Sequence, residues 1–156
     1  MSQDNIAKKA QKSSKKARSS AARLAAVQAV YQMLTNDQVA SVVTEEFLSR
    51  RLGKPVDGID MVVPDGTLFK SVVNGVETRK DDLIGLIKGA QKEGKSISEP
   101  LLNAILLCGA YELLAHHDTD TPLVIAEYLH VTQAFYDQGE SKLVNGILDH
   151  IGKSVR

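Results

Sequence analysis

Apolar side chains recur at helical spacing along most of this chain. From about residue 19, Leu24, Val27, Tyr31 and Leu34 lie three or four positions apart, which predicts one apolar stripe on an amphipathic helix. The same spacing predicts further helices over about residues 39–51, 66–76, 81–90, 99–113, 121–135 and 143–155. No segment alternates apolar and polar residues as a half-buried strand would. The pattern therefore predicts an all-α bundle of about seven helices.

Turn-forming residues separate these helices. The longest predicted loop, 53–66, is rich in Gly, Asp and Pro, and Asp65 is a candidate N-cap for the helix that follows it. Gly139 is expected to break the chain before the last helix. The helix over 99–113 is apolar on nearly all sides, so we expect it to be the buried centre of the fold.

The formal charge of the chain is zero, but its distribution is uneven. Residues 1–23 carry seven basic side chains against one acidic, a net charge of +6, and the remainder carries −6. Residues 1–17 are also poor in large apolar side chains, so the sequence predicts a disordered basic arm at 1–17 and a helical domain over 18–156. Such an arm is typical of an interaction segment, commonly for nucleic acid, although a merely solubilising tail has the same composition.

Few residues suggest catalysis or metal binding. The chain has no Gly-rich phosphate loop, no paired-cysteine signature and no nucleophile elbow. His116 and His117 are adjacent, not four apart as a chelating pair on a helix would be, and they are better placed to interact with the last carbonyls of a helix. Glu112 and Glu127 are candidate paired carboxylates on different predicted helices, but nothing in the sequence brings an acid, a base and a pocket together. These features predict neither an enzyme nor a bound metal or cofactor.

The single cysteine and the apolar segments bear on the compartment. Cys108 lies in an apolar run and is expected to be a buried core residue, not a reactive thiol. One cysteine permits no intramolecular disulfide, which suits a reducing cytoplasm. No apolar run approaches the roughly 18 residues that a membrane span needs. The sequence therefore predicts a cytoplasmic protein.

Four stretches in order resemble the NusB family. They are Ala21-Ala-Arg-Leu-Ala-Ala-Val-Gln-Ala-Val-Tyr-Gln32, Leu106-Leu-Cys-Gly-Ala-Tyr-Glu-Leu-Leu114, Asp120-Thr-Pro with Val124-Ile-Ala-Glu-Tyr128, and Leu143-Val-Asn-Gly-Ile-Leu-Asp149. Their order and spacing agree with the family over about residues 18–152. The resemblance implies a fold of two perpendicular three-helix subdomains. It also implies a role in transcription antitermination, through binding of the single-stranded boxA element in nascent ribosomal RNA leaders. The partner that the resemblance implies is NusE, a ribosomal small-subunit protein, and both proteins would act within the RNA polymerase antitermination complex.

The resemblance also implies which residues contact RNA. Arg23 and Tyr31 match the family's RNA-facing arginine-rich start and its tyrosine, and Lys142 matches a lysine at the RNA-contacting edge of the last helix. The basic arm adds phosphate contacts from Lys12, Lys15, Lys16 and Arg18. Tyr31 has two interpretations of equal weight, stacking on a base or packing in the core.

Departures from the family pattern leave two other functions open. Ser19, Ser20 and Ala21 stand where the family often has arginines, and Leu143 replaces its usual phenylalanine. A protein-interaction adaptor that reaches RNA only through NusE is one alternative. The other is the isolated N-terminal module of a ribosomal RNA methyltransferase, which has the same fold.

Overall fold

The computed structural model describes residues 3–51, 62–94 and 96–156, with side chains described from residue 15 onward apart from 50 and 51. Within these ranges the chain forms seven α-helices and no strand, which confirms the predicted all-α class. The helices are α1 (Gln3–Asn36), α2 (Ala40–Glu46), α3 (Gly66–Thr78), α4 (Lys80–Gly89), α5 (Pro100–Ala115), α6 (Thr121–Phe135) and α7 (Gln138–Val155), and α2 continues into a π-helical turn, Phe47–Arg51.

The first helix begins earlier than the sequence predicts. Residues 1–17 are predicted to be disordered, but α1 extends from Gln3 through this segment without a break, and residues 1–2 lie outside the described ranges. The segment is rich in Ala, Lys and Gln, which have high intrinsic helix propensity. Its low apolar content therefore argues against burial and not against helix, and the division into an arm at 1–17 and a domain at 18–156 stays a prediction. Most of the predicted 53–66 loop lies outside the described ranges.

The helices form two groups of three. In the first group α1 packs against α2 and α3, and in the second α5 packs against α6 and α7, while contacts between α1 and α5 join the two groups and α4 lies against α5. Ten of the sixteen residues of α5 are buried, which confirms it as the centre of the fold. Cys108 is one of them, a free cysteine whose burial raises the pKa of its thiol well above the usual value.

Close approach in the second group depends on glycines. A Cβ built on Gly109 of α5 would lie 2.9 Å from Cδ1 of Leu148 on α7. One on Gly152 would lie 2.8 Å from Cγ2 of Thr121 on α6. Real Cβ atoms are almost never this close to a neighbour, so a larger residue at either position would require Leu148 or Thr121 to shift.

The buried face of α1 differs from the predicted stripe. Leu24 and Tyr31 are exposed at 36% and 40%, whereas the buried positions are mostly alanines: Ala22, Ala25, Ala26, Val27, Ala29 and Val30. Small side chains let α1 lie close against α5 and α3, so this face packs well without large residues. Val39, the N-cap of α2, and Val42 are exposed, while Val43 of α2 and Phe47 of the π-helical turn are buried.

Most helix starts agree with the sequence. Asp65 caps α3 by accepting hydrogen bonds from the backbone N–H groups of Thr67 and Leu68 at 3.0 and 3.1 Å. Glu99 caps α5 in the same way, followed by Pro100 at the first helical position. Gly139 does not break the chain as predicted, because α7 begins at Gln138 and includes it in the first turn.

The C-terminal end of α5 is capped by the side chain of Arg156, the residue that follows α7. The Arg156 guanidinium donates to the backbone oxygens of Leu113, His116 and Glu112 at 2.9, 2.7 and 3.2 Å. It also donates to Thr119 O and to Thr121 Oγ1, which ties the α5–α6 connection to the same group. The sequence predicts a cation at these carbonyls, but assigns it to His116 and His117; the structure supplies Arg156 instead.

Candidate nucleic-acid interface

Three of the residues predicted to contact RNA lie on α1, just after residue 14, where the description of side chains begins. Lys15, Lys16 and Arg18 are all exposed. Arg18 Nε donates to Val63 O at 2.9 Å, and Arg18 O accepts from Asp65 N at 3.0 Å. These bonds place Arg18 directly beside the start of α3. The side chain of Lys12 lies outside the described part of the chain.

Tyr31 lies on the outer face of α1. Its side chain is 40% exposed, and Leu24, two helical turns earlier on the same face, is also exposed. The phenol ring is thus partly accessible to a base, and its role in stacking stays a prediction.

Lys142 lies near the start of α7, away from the core. It is exposed and lines a cleft of about 630 Å³ between α7 and the end of α4. Lys92 and Lys153 line the same cleft, together with the carboxylates of Glu93 and Asp149. Lys153 pairs with Asp149 at 2.9 Å, so the cleft carries charge of both signs.

Arg23 is not an RNA-facing residue in this structure. It is only 5% exposed, and its guanidinium binds Glu112 at two points, Nε to Oε2 at 2.8 Å and Nη2 to Oε1 at 3.0 Å. Its Nη1 lies 3.4 Å from Oε1 of Glu127 on α6. A buried charge is stable only when it is paired in this way, so the prediction that Arg23 contacts RNA was wrong.

The carboxylate of Glu112 has three side-chain partners, Arg23, Tyr128 and His116, where α1, α5 and α6 meet. Besides Arg23 it accepts from the Tyr128 hydroxyl, and its Oε1 lies 3.3 Å from Nδ1 of His116. The other ring nitrogen of His116 lies 2.9 Å from Ser71 Oγ on α3. Burial would raise the pKa of Glu112, but the hydrogen bonds from His116 and Arg23 and the charge of Arg23 outweigh it and lower that pKa to about 2.

Glu127 completes this buried network. Ser20 Oγ donates to its two carboxylate oxygens, at 3.1 Å to Oε1 and 3.0 Å to Oε2. The two carboxylates noted in the sequence therefore serve one arginine, and their role is structural. The signal that could have revealed this is Glu112 itself, a lone carboxylate in the most apolar helix, which needs a buried cation as its partner.

No group of three or more His, Cys, Asp or Glu side chains among the described residues could hold a metal ion. None of the helices traced in these ranges is both long and apolar enough to cross a lipid bilayer.

Comparison with known proteins identifies relatives over most of the chain. The profile of the NusB family matches residues 20–153. A protein of Novosphingobium aromaticivorans named transcription antitermination protein NusB is 39% identical over 138 residues, covering 87% of this chain and 93% of its own length. One of the same name from Rhizobium rhizogenes is 40% identical over 141 residues, with coverage of 87% and 86%.

A solved structure has the same fold. NusB of T. maritima superposes with a TM-score of 0.68 over 86% of this chain and 89% of that chain, at 21% sequence identity. This likeness extends the fold assignment to the arrangement of the helices as a whole.

Proposed function

This chain belongs to the NusB family of transcription antitermination proteins, and we propose that it acts by binding single-stranded boxA-type RNA of nascent ribosomal RNA leaders. It does so together with NusE, as part of the RNA polymerase antitermination complex in the cytoplasm. In this proposal its role is binding, not catalysis, and requires no cofactor.

The observation that carries the proposal is the exposure of Lys15, Lys16 and Arg18 at the start of a chain whose remainder is acidic. Residues 1–23 have a net charge of +6 and the remainder −6. An RNA strand is attracted to the basic end more strongly than to the net-negative remainder, and its phosphates release counterions on binding these cations. The charge distribution thus favours one orientation of the strand.

The other contacts in this proposal come from Tyr31 and Lys142. The exposed Tyr31 ring stacks on an unpaired base, and Lys142 contributes a further phosphate contact at the start of α7. Lys12 belongs to the same basic segment. Residues 1–17 act as the RNA-contacting arm, and residues 18–156 as the domain that carries it. Arg23 supports the interface only by holding α1 in place.

The burial of Arg23 gives some weight to the adaptor alternative, because it removes one of the expected RNA contacts. An adaptor would reach RNA only through NusE. The methyltransferase-module alternative is less favoured, because the matched relatives carry the antitermination name and are covered over most of their own length.

Equilibrium titration of the full chain with a labelled boxA-type RNA tests the proposal. We expect binding by the chain alone, tighter binding with NusE present, and weaker binding of a scrambled RNA of equal length. Binding of boxA-type RNA only when NusE is present, with no change on replacing Lys15 and Lys16 by Gln, would instead identify an adaptor.

A further inference from the structure

A polar groove runs along the outer face of α3 beside α5. Its volume is about 560 Å³, and the side chains that matter to the argument are Thr67, Lys70, Asn74, Thr78, Arg79 and Tyr111. Lys70 and Asn74 are one helical turn apart and both exposed. Neither the buried network nor the proposed RNA contacts use any of these residues.

The wall of the groove is a fixed aromatic ring. Tyr111 of α5 packs directly over Gly75 of α3, where an added Cβ would lie 2.0 Å from the ring carbon Cζ. The ring also contacts the His116 ring in an edge-to-face arrangement, with ring centroids 5.4 Å apart and an interplanar angle of 77°. Since His116 is itself held between Glu112 and Ser71, the ring is positioned before any ligand arrives.

The groove suits an anion with hydrogen-bonding groups. Two cations, Lys70 and Arg79, line it, and its lining residues include no carboxylate. Arg79 Nε pairs at 2.9 Å with Asp82, an exposed residue of α4 outside the groove. Between the cations lie hydroxyls and the Asn74 amide, which match base edges and ribose 2′-hydroxyls better than they match an acidic peptide. The α4–α7 cleft, by contrast, includes two carboxylates.

The groove continues from the proposed RNA surface. Arg18 forms hydrogen bonds with Val63 and Asp65, and Asp65 caps the start of α3. Thr67, two residues after this cap, lines the near end of the groove. From Thr67 to Arg79 the helical rise gives a track about 18 Å long. Among the described residues, Arg18 therefore lies close to the end of the groove that Thr67 lines.

We propose that the α3–α5 groove is a second binding site for the same RNA strand, which takes the nucleotides that extend past Arg18. Lys70 and Arg79 contact phosphates, Asn74 and Thr67 bond to a base edge or ribose, and the Tyr111 ring forms the wall against which a base lies. This inference rests on the proposed RNA-binding function and adds to it a path for the strand and a longer site.

The test compares three RNAs on the full chain: a boxA-length oligomer, the same oligomer extended by several nucleotides at its 5′ end, and the same oligomer extended at its 3′ end. We expect one extension to tighten binding roughly tenfold and to steepen the slope of log K against log salt by about 1.4, for two phosphate contacts on a single strand. The double variant Lys70→Gln/Asn74→Ala should bind the short RNA normally and lose the gain from extension. Both positions are exposed on a helix, so the variant should fold, which a thermal melt checks.

Lys88→Gln, an exposed lysine of α4 outside the groove, is the matched control and should retain the full gain. If neither extension tightens binding to the wild type, or if the double variant keeps the gain, the groove is not an RNA site, although the proposed function stands. If the double variant loses affinity for NusE or for an acidic peptide but keeps the gain in affinity from RNA extension, the groove binds a protein, and the inference is likewise overturned. Absence of any RNA binding by the wild type, with or without NusE, would remove the proposed function and this inference together.

Discussion

Arg23 and Glu112 are 89 residues apart in sequence and form a two-point ion pair that is buried at both ends. Taking both charges out of water is costly, and the parallel N–H···O bonds of the guanidinium and carboxylate offset that cost because their geometry matches. The pair also joins the two halves of the molecule, since Arg23 belongs to α1 and Glu112 to α5. A residue that the sequence assigns to RNA binding thus stabilises the domain instead.

Arg23→Ala should lower the free energy of unfolding by about 3–5 kcal/mol, because it leaves Glu112 as a buried charge without its cation. Chemical denaturation monitored by circular dichroism measures this change. Lys153→Ala is the control, since it breaks an exposed pair with Asp149 and should cost no more than about 1 kcal/mol. Equal small effects of both substitutions would show that Arg23 is not buried as described.

Stability should fall in acid through Glu112. Its pKa is lowered from 4.5 to about 2 in the folded protein, so its contribution is complete above about pH 4.5 and is lost as the pH falls toward 2. A shift of this size corresponds to about 3 kcal/mol. Denaturation measured at intervals from pH 6 to pH 2 should show this loss in the wild type and a shallower dependence in Glu112→Gln. A variant with the same pH dependence as the wild type would contradict the assignment.

The helices could be predicted because their signals are local. Apolar spacing identified the positions of all seven, and Asp65 and Pro100 mark helix starts by chemistry that involves only neighbouring residues. The orientation of α1 could not be predicted, because the pattern gives most weight to large apolar residues. Leu24 and Tyr31 define the stripe in the sequence, whereas a closely packed helix buries its alanines.

The positions of the candidate site residues could be predicted only for side chains that are exposed, because charged side chains usually lie on the surface. Lys15, Lys16, Arg18 and Lys142 are exposed, as charged residues usually are, and the sequence placed them correctly on the surface. Arg23 departs from that default because Glu112 and Glu127 converge on it from two other helices. That pairing depends on tertiary contacts, which periodicity and composition do not contain.

Tyr31→Ala separates binding from folding. The exposed ring should contribute little to stability, so the unfolding free energy should change by less than about 0.5 kcal/mol. Lost stacking should weaken binding of boxA-type RNA by about 1–3 kcal/mol. Gln28→Ala, at an exposed neighbouring position on α1, should affect neither. A destabilised Tyr31→Ala variant with unchanged RNA affinity would assign the ring to packing.

The basic start of α1 should determine how RNA affinity depends on salt. Replacing Lys15 and Lys16 by Gln removes two phosphate contacts and should make the slope of log K against log salt shallower by about 1.4. The loss should be similar for boxA-type and scrambled RNA, because phosphate contacts do not read sequence. Lys80→Gln/Lys88→Gln on α4 removes the same charge elsewhere, and an equal effect from it would mean that net charge alone matters.

Arg156→Ala should loosen the corner between α5 and α6. The lost hydrogen bonds to the last carbonyls of α5 should cost about 1–2 kcal/mol, and hydrogen exchange should quicken at the amides of residues 116–121. Arg156→Lys should restore only part of the stability, because an ammonium lacks the planar fork that reaches several oxygens at once. Full restoration by Lys would mean that charge alone is responsible.

The alanine face of α1 leaves the axial position of that helix weakly specified by shape. Small side chains present a smooth surface, over which the helix could slide by one turn, about 5.4 Å, and still bury apolar atoms. Such a slip would carry Arg23 away from Glu112 and leave two uncompensated charges in the interior. The ion pair therefore sets the register of α1 against α5, and with it the place at which the basic residues of α1 and Tyr31 are presented to a ligand.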